Sequence, residues 1–150
     1  MYHNILVPTD GSAAAKSAIS HAVDIASVCE ATIHGLHVIP TADLRIRPKS
    51  KTAKRLAAGE FDAVPEAHTY GKNATHEVVA AATEADLPAT QAITAGWPYA
   101  EIIEYARENE IDLIVMGRRG HTGVGRLLLG STTERVIRNT SIPVLTTDVT

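Results

Sequence analysis

The segment from residue 112 to residue 131 reads DLIVMGRRGHTGVGRLLLGS, and it largely decides the fold class. Residues 113–116 form a short apolar run that ends at Gly117, which is typical of a strand buried on both faces. Residues 131–134 (STTE) have the pattern of a capping box, so we expect a helix to begin at Ser131 and to reach about Arg138. A strand, a glycine-rich loop and a helix in this order predict one unit of a parallel α/β sheet.

The same alternation continues on both sides of this unit. Residues 3–9 (HNILVPT) form a second short apolar run, and Ser12 offers an N-cap for an alanine-rich helix that reaches Val28. Further strands are predicted over residues 31–39, over residues 89–95, and from Ile142 to Thr147. Helices are predicted over residues 73–85 and from Pro98 onward.

This order predicts an α/β fold, namely a single doubly wound, Rossmann-like domain over residues 1–150. We expect about five parallel strands with helices on both faces of the sheet. Residues 40–70 carry three prolines and a basic run, and they predict a long variable excursion with one short helix near residues 52–58.

Composition limits the classes of function. The chain has 150 residues, of which 45% are hydrophobic and 21% charged, and this excludes a disordered or fibrous protein. The net charge of −3 is too balanced to favour a nucleic acid as partner. No apolar run approaches the roughly 18 residues needed to cross a bilayer, and no secretory signal is evident. The one cysteine, Cys29, fits a reducing compartment, so we expect a cytoplasmic protein without membrane association.

In a doubly wound sheet, ligands bind beyond the carboxyl ends of the strands, where the strand order reverses. Three segments compete for this position: residues 8–11 after the first strand, residues 37–39 in the second, and the stretch that begins at Gly117. Gly117 would leave the strand where a side chain would crowd a ligand, and Gly120 would allow a turn with positive φ. Gly130 and Ser131, at a helix start, predict a phosphate site. The alternative is a flexible loop with an ordinary helix cap.

Several kinds of site are disfavoured by their missing motifs. There is no G-x-x-x-x-G-K-[ST] loop, and no G-x-G-x-x-G motif follows a strand, so the common NTPase and dinucleotide folds are disfavoured. We find no Ser-His-Asp set, no paired carboxylates, and no cluster with metal-ligand spacing. The sequence therefore predicts no catalytic residue and no metal site.

The glycine stretch resembles a known family. Universal stress proteins of the ATP-binding kind carry G-x2-G-x9-G-[ST] after their fourth strand, and Gly117, Gly120, Gly130 and Ser131 match this motif without a gap. The opening ILVPTDGS, the run DLIVMG and the closing GSTTERV are also similar to the family. Residues 40–70 match nothing that we can use.

The resemblance implies a nucleotide site and roles for its residues. Asp10, with Pro8 and Thr9 beside it, would face the adenosine end, where its carboxylate could accept from ribose hydroxyls or help to hold Mg²⁺. Without the resemblance, Asp10 reads as a turn residue. The main chain of Val38 would meet the adenine. The remaining candidates would line the ribose and phosphate path: Met116, Gly117, Arg119, Gly120, Gly130, Ser131 and Thr132.

The implied function is a regulatory protein that binds ATP, with ADP or AMP as alternatives and with Mg²⁺. The family also implies a homodimer, formed here by the last strand from Ile142 to Thr147, and a regulatory protein partner that the sequence does not identify. Hydrolysis or self-phosphorylation would be slow at most. Two alternatives stay open: an adenylyl-transferring or ATP-pyrophosphatase enzyme, although PTDGS lacks the motifs of both, and a nucleotide-free adaptor.

Overall fold

Five parallel strands form one sheet in the computed structural model of the chain, which describes residues 1–119 and 129–149. The strand order is β3-β2-β1-β4-β5, so the first strand lies at the centre. The predicted α/β class with one five-stranded parallel sheet is confirmed. The strands are β1 (Asn4–Pro8), β2 (Thr32–Pro40), β3 (Ala89–Gly96), β4 (Leu113–Gly117) and β5 (Val144–Thr147).

Helices cover both faces of this sheet. Their bounds are α1 (Ala13–Cys29), α2 (Lys51–Ala57), α3 (Pro65–Glu84), α4 (Pro98–Glu108) and α5 (Ser131–Asn139). Side chains alternate along a strand, so neighbouring residues serve different faces. Val7 of β1 packs with Ala22 of α1 and Val78 of α3, whereas Leu6 packs with Ile102 of α4 and Val136 of α5. In the described residues, no helix is long and apolar enough to span a bilayer.

The excursion after β2 is shorter than predicted. Helix α3 begins at Pro65 rather than at Asn73, so the segment between β2 and α3 ends at Val64 and contains α2. Pro65 and Gly71 resemble helix breakers in the sequence. However, Pro65 occupies the first turn of α3, where its missing N–H costs no hydrogen bond. A Cβ at Gly71 would lie 2.7 Å from Cδ2 of His37, so only glycine lets α3 approach β2 this closely.

Helix α5 begins at Ser131 as predicted, but the start of the last strand and the cap of α5 need correction. The last strand begins at Val144 rather than Ile142, because Pro143 has no N–H for the ladder, although its carbonyl accepts from Ile114. The predicted capping box is wrong, since Gly130 is the N-cap of α5 and Ser131 is already its first helical residue.

Candidate functional site

The strand order reverses between β1 and β4, and the predicted site segments meet there. β1 pairs with β2 on one side and with β4 on the other. Pro8 lies opposite Leu36, and the Thr9 N–H donates to the Leu36 carbonyl at 2.8 Å. The carboxyl end of β4, at Gly117, lies on the other side of β1. This is the position at which doubly wound sheets bind ligands.

Three of the predicted site residues share one face of the sheet. Val38 and Met116 are buried in the core that α4 and α5 cover. Pro8 lies on the same face, because it is two residues beyond Leu6, which packs in that core. These three residues are apolar, and they lie on the face of the sheet that α4 and α5 cover.

Asp10 belongs to a tight turn that is held by its own neighbours. Its Oδ1 accepts from the Ser12 N–H at 3.0 Å, and the Gly11 N–H donates to Oγ1 of Thr9 at 3.1 Å. Gly11 has a φ of +76°, which favours glycine. Ser12 then caps α1 through a hydrogen bond from the Ala15 N–H. Asp10 therefore does act as a turn residue, and its hydrogen bond from the Ser12 N–H orients the carboxylate.

Sequence reasoning missed two side chains that contact the same turn. Nδ1 of His37, on β2, lies 2.8 Å from the Thr9 carbonyl oxygen, and the Tyr70 hydroxyl, on α3, donates to the Asp10 carbonyl. Burial lowers the pKa of His37, while the Thr9 carbonyl and Asp10 oppose that shift. The pKa of Tyr70 is raised by burial and then by Asp10 and Glu77. Gly71 is the sequence signal that could have shown this contact, because a glycine inside a helix often marks a close approach.

The start of α5 presents main-chain N–H groups beside the end of β4. Gly130, the N-cap, has a φ of −64°, and its N–H donates to the Arg118 carbonyl at 2.7 Å. No described side chain caps this helix. Ser131 and Thr132 are its first two residues, and Oγ1 of Thr133 donates to the Gly117 carbonyl at 2.8 Å. First-turn N–H groups and the helix dipole attract anions, so this end of the sheet can hold a negatively charged group.

The structure gives a packing reason for two of the predicted glycines. A Cβ at Gly117 would lie 2.8 Å from the Cβ of Ala14, so the packing of α1 against the end of β4 already requires a glycine here. A Cβ at Gly130 would lie 3.1 Å from Cα of Arg119. Gly120 lies outside the described residues.

Arg119 contacts the end of the chain. Its Nη2 donates to Oδ1 of Asp148 at 2.8 Å, and both side chains are mostly buried. The hydrogen bond from the Val149 N–H lowers the pKa of Asp148, and the guanidinium of Arg119 adds to this effect. The Arg118 N–H also donates to the Thr147 carbonyl at 2.7 Å. The beginning of the glycine-rich stretch thus makes one polar contact to β5 and one to the residue that follows it.

A metal cluster is not seen in the part of the chain that the structure describes. Within residues 1–119 and 129–149, no group of three or more His, Cys, Asp or Glu side chains could hold a metal ion. The carboxylate at the predicted nucleotide end is that of Asp10, and the pairing partner of Arg119 is Asp148.

Comparisons with known proteins identify the family of the chain. The sequence profile described as "Usp: Universal stress protein family" matches residues 1–147. Universal stress protein MJ0531 of Methanocaldococcus jannaschii is 35% identical over 146 residues, covering 97% of this chain and 81% of that protein.

Solved structures show the same fold. Hypothetical protein MJ0577 superposes with a TM-score of 0.81 at 28% identity, covering 99% of this chain and 96% of that one. Universal stress protein UspA from Lactobacillus plantarum has a TM-score of 0.77 at 30% identity, with 97% of each chain covered. With a family profile and a relative that each span nearly its whole length, this chain belongs to the universal stress protein family.

Proposed function

We propose that this chain is a stress-response regulator that binds ATP at the edge where β1, β2 and β4 end. The observation that carries the proposal is that the Asp10 turn and the start of α5 lie at the carboxyl ends of the neighbouring strands β1 and β4, between which the strand order reverses. A carboxylate, an apolar face and a row of main-chain N–H groups suit, in that order, a ribose, a base and phosphates.

We assign to the site residues the roles that the resemblance to the family implies. Asp10, beside Pro8 and Thr9, would accept from the ribose hydroxyls, and the main chain of Val38 would contact the adenine. The other residues of the proposed site would flank the ribose and phosphates: Met116, Gly117, Arg119, Gly120, Gly130, Ser131 and Thr132. Magnesium would arrive with the nucleotide and neutralise phosphate charge, and the alternative role of the Asp10 carboxylate is to help hold that ion.

Two solved relatives make an adenine nucleotide the first ligand to test. A universal stress protein in complex with cAMP superposes with a TM-score of 0.66 at 22% identity. One from Archaeoglobus fulgidus in complex with dAMP superposes with a TM-score of 0.69 at 19% identity. At these identities the likeness to this chain concerns the fold, so the nucleotide comes to this chain only as a proposal.

We further propose a cytoplasmic homodimer whose conformation depends on the bound nucleotide and is sensed by a protein partner. The strand β5 supports the dimer, because it is an edge strand of the sheet formed by residues 1–119 and 129–149, and an edge strand can pair with a second chain. Hydrolysis would be slow at most, with turnover below about 1 s⁻¹, the lower end of the ordinary enzyme range. Sedimentation with and without Mg-ATP tests the dimer, and phosphate release tests the turnover.

The first experiment is to denature freshly purified protein without added nucleotide and to identify what it releases by chromatography. Near-stoichiometric ATP is the expected result, because slow turnover would leave the bound nucleotide intact. Release of ADP or AMP would favour the enzyme alternative. An empty protein that also failed to bind Mg-ATP in a calorimetric titration would overturn the proposal and favour an adaptor.

A further inference from the structure

Two residues outside the proposed site hold the main chain of the Asp10 turn. Nδ1 of His37 lies 2.8 Å from the Thr9 carbonyl oxygen, and the Tyr70 hydroxyl donates to the Asp10 carbonyl. Both acceptors are consecutive carbonyls, so the two contacts fix the peptide planes that follow Thr9 and Asp10. The backbone on both sides of the Asp10 side chain is therefore set from outside the turn.

The protein packs tightly to make these contacts. His37 is only 6% exposed, and its ring centroid lies 5.6 Å from that of Tyr70. Gly71 admits the imidazole, because a Cβ there would lie 2.7 Å from its Cδ2. At Gly11, a Cβ would lie 2.6 Å from the Tyr70 hydroxyl oxygen. Two glycines thus let β2, α3 and the turn approach one another at a single place.

The chemistry of the acceptors fixes the state of the imidazole. A carbonyl oxygen only accepts, so Nδ1 of His37 must carry a proton and donate it. Burial lowers the pKa of His37, which favours the neutral ring, in which Nδ1–H is then the donor. The hydrogen bond to Thr9 therefore persists at neutral pH without a buried charge.

The turn itself transmits this order to the carboxylate. Oδ1 of Asp10 accepts from the Ser12 N–H, and the Gly11 N–H donates to Oγ1 of Thr9. The Asp10 carbonyl and the Gly11 N–H belong to one peptide, so rotation of that carbonyl would break the hydrogen bond from Gly11 to Thr9 and loosen the turn that holds the carboxylate. A group that hydrogen-bonds a ligand contributes more to affinity when the protein already holds it in place. Here that group is the acceptor carboxylate of Asp10.

We propose that His37 and Tyr70 are positioning residues, which hold the Asp10 carboxylate in the orientation that receives the ribose of an adenine nucleotide. The proposal rests on the proposed function. It adds that affinity depends on side chains that act through the main chain of the turn and that belong to the α1 and α3 face of the sheet.

The variant Tyr70→Phe tests this with little risk to folding, because the Tyr70 side chain is 45% exposed. We expect its affinity for Mg-ATP, measured by calorimetric titration, to fall about three- to ten-fold, the value of one hydrogen bond. The matched control is Tyr105→Phe. The Tyr105 hydroxyl bonds to Nδ1 of His34 at 2.9 Å, away from the turn. That variant should keep the wild-type affinity even if it loses stability.

Rescue and coupling separate positioning from general stability. His37→Leu removes the hydrogen-bond donor and should weaken Mg-ATP binding. In His37→Asn the amide nitrogen is bonded to Cγ, as Nδ1 is in the histidine ring, so this variant should restore most of the affinity. In an Asp10→Ala background, Tyr70→Phe should have no further effect, because the group that it positions is gone.

The outcomes divide clearly. If the wild-type protein binds Mg-ATP but Tyr70→Phe binds it equally well, or if Tyr105→Phe loses as much affinity, the positioning proposal is overturned and the proposed function stands. If Tyr70→Phe lowers the affinity for Mg-ATP as much in the Asp10→Ala background as in the wild type, Tyr70 does not act through Asp10 and the proposal is also overturned. A wild-type protein that binds no nucleotide overturns both.

Discussion

A methyl group at residue 117 would lie 2.8 Å from the Cβ of Ala14 and 3.0 Å from its carbonyl carbon. Real Cβ atoms do not approach this closely, so the end of β4 and the start of α1 can pack only around a glycine. The motif glycine at this position therefore has a packing role that is independent of any ligand.

We expect Gly117→Ala to lower the free energy of unfolding by about 1–3 kcal/mol, the range for overpacking. Urea unfolding monitored by circular dichroism measures the loss. The control is the double variant with Ala14→Gly, which removes one of the two colliding methyl groups. Its loss should be smaller than the sum of the two single losses. Additive losses would show that the contact between Gly117 and Ala14 is not the cause.

Asp10 invites a second test at the level of one side chain, because its turn contact and its proposed ligand contact need different groups. Asparagine keeps an oxygen for the Ser12 N–H but carries no charge. We expect Asp10→Asn to retain the stability of the wild type and to weaken Mg-ATP binding by about 1–3 kcal/mol, the value of a charge-assisted hydrogen bond. Calorimetric titration and urea unfolding measure the two effects.

Asp10→Ala completes this test, since it removes both contacts and should lower stability as well as affinity. If Asp10→Asn bound Mg-ATP as tightly as the wild type, Asp10 would be a turn residue only.

At the scale of elements, two helices begin in the same way but differ in what they support. Ser12 caps α1 with ψ of 167° and a hydrogen bond of 3.2 Å, and Ser50 caps α2 with ψ of 167° and a hydrogen bond of 3.1 Å. Helix α1 buries one face against the centre of the sheet, whereas α2 has seven residues, of which Leu56 is buried. The same cap should therefore contribute differently to global stability.

We expect Ser12→Ala to lower the free energy of unfolding by about 1 kcal/mol, the usual value of an N-cap. Ser50→Ala should change it less, because α2 can fray without exposing the core. Urea unfolding of both variants makes the comparison. Equal losses would mean that α2 unfolds together with the sheet.

Elements with a strong apolar pattern could be predicted from the sequence, and those defined by contacts could not. β4 is a short apolar run between polar residues, and β1 and β2 carry similar signals, so the parallel sheet follows from periodicity. The start of α3 was missed because Pro65 and Gly71 look like interruptions until their neighbours are known. The N-cap of α5 was missed because Ser131 fits a capping box in sequence, while the Arg118 carbonyl binds Gly130 in space.

The candidate site shows the same division. Its place at the sheet edge follows from a topological rule that needs only the order of the elements. The contacts of His37 and Tyr70 with the Asp10 turn could not be predicted in this way. Both are made to main-chain carbonyls, which every residue carries, so the sequence does not indicate them. Arg119 was expected near phosphates because of its position in the motif. Its ion pair with Asp148 could not be predicted, because the partner lies 29 residues later in the chain.

Across the whole molecule, two buried histidines on β2 link stability to pH. His34 is 8% and His37 is 6% exposed, and burial lowers the pKa of each ring from its usual value near 6.5. Nε2 of His34 lies 3.1 Å from Oδ1 of Asn4, to which it can donate, and Nδ1 lies 2.9 Å from the Tyr105 hydroxyl oxygen, which can donate to it when the ring is neutral. Protonation is thus easier in the unfolded chain than in the folded one.

Below pH 6.5 the unfolded chain binds more protons than the folded chain. The contribution of the two histidines to the free energy of unfolding should therefore be fully present above this pH and decrease as the pH falls. Each histidine contributes up to about 1.4 kcal/mol per pH unit within its window. Urea unfolding at pH 7.5, 6.5 and 5.5 measures the slope. His37→Asn, which retains an amide donor but does not titrate, should reduce it. An unchanged slope in that variant would exclude His37 as a source of the acid sensitivity.

Neighbouring residues of β2 face opposite ways. His37 contacts the turn and α3, while Val38 belongs to the core beside α4 and α5. A protein engineer could therefore treat the two faces as separate modules. Under the proposed function, substitutions on the Val38 and Met116 face would alter the base end of the site, and the Asp10 turn would keep its contacts to His37 and Tyr70. A library confined to the α4 and α5 face would then test new ligands while it retained the proposed ribose contact of Asp10.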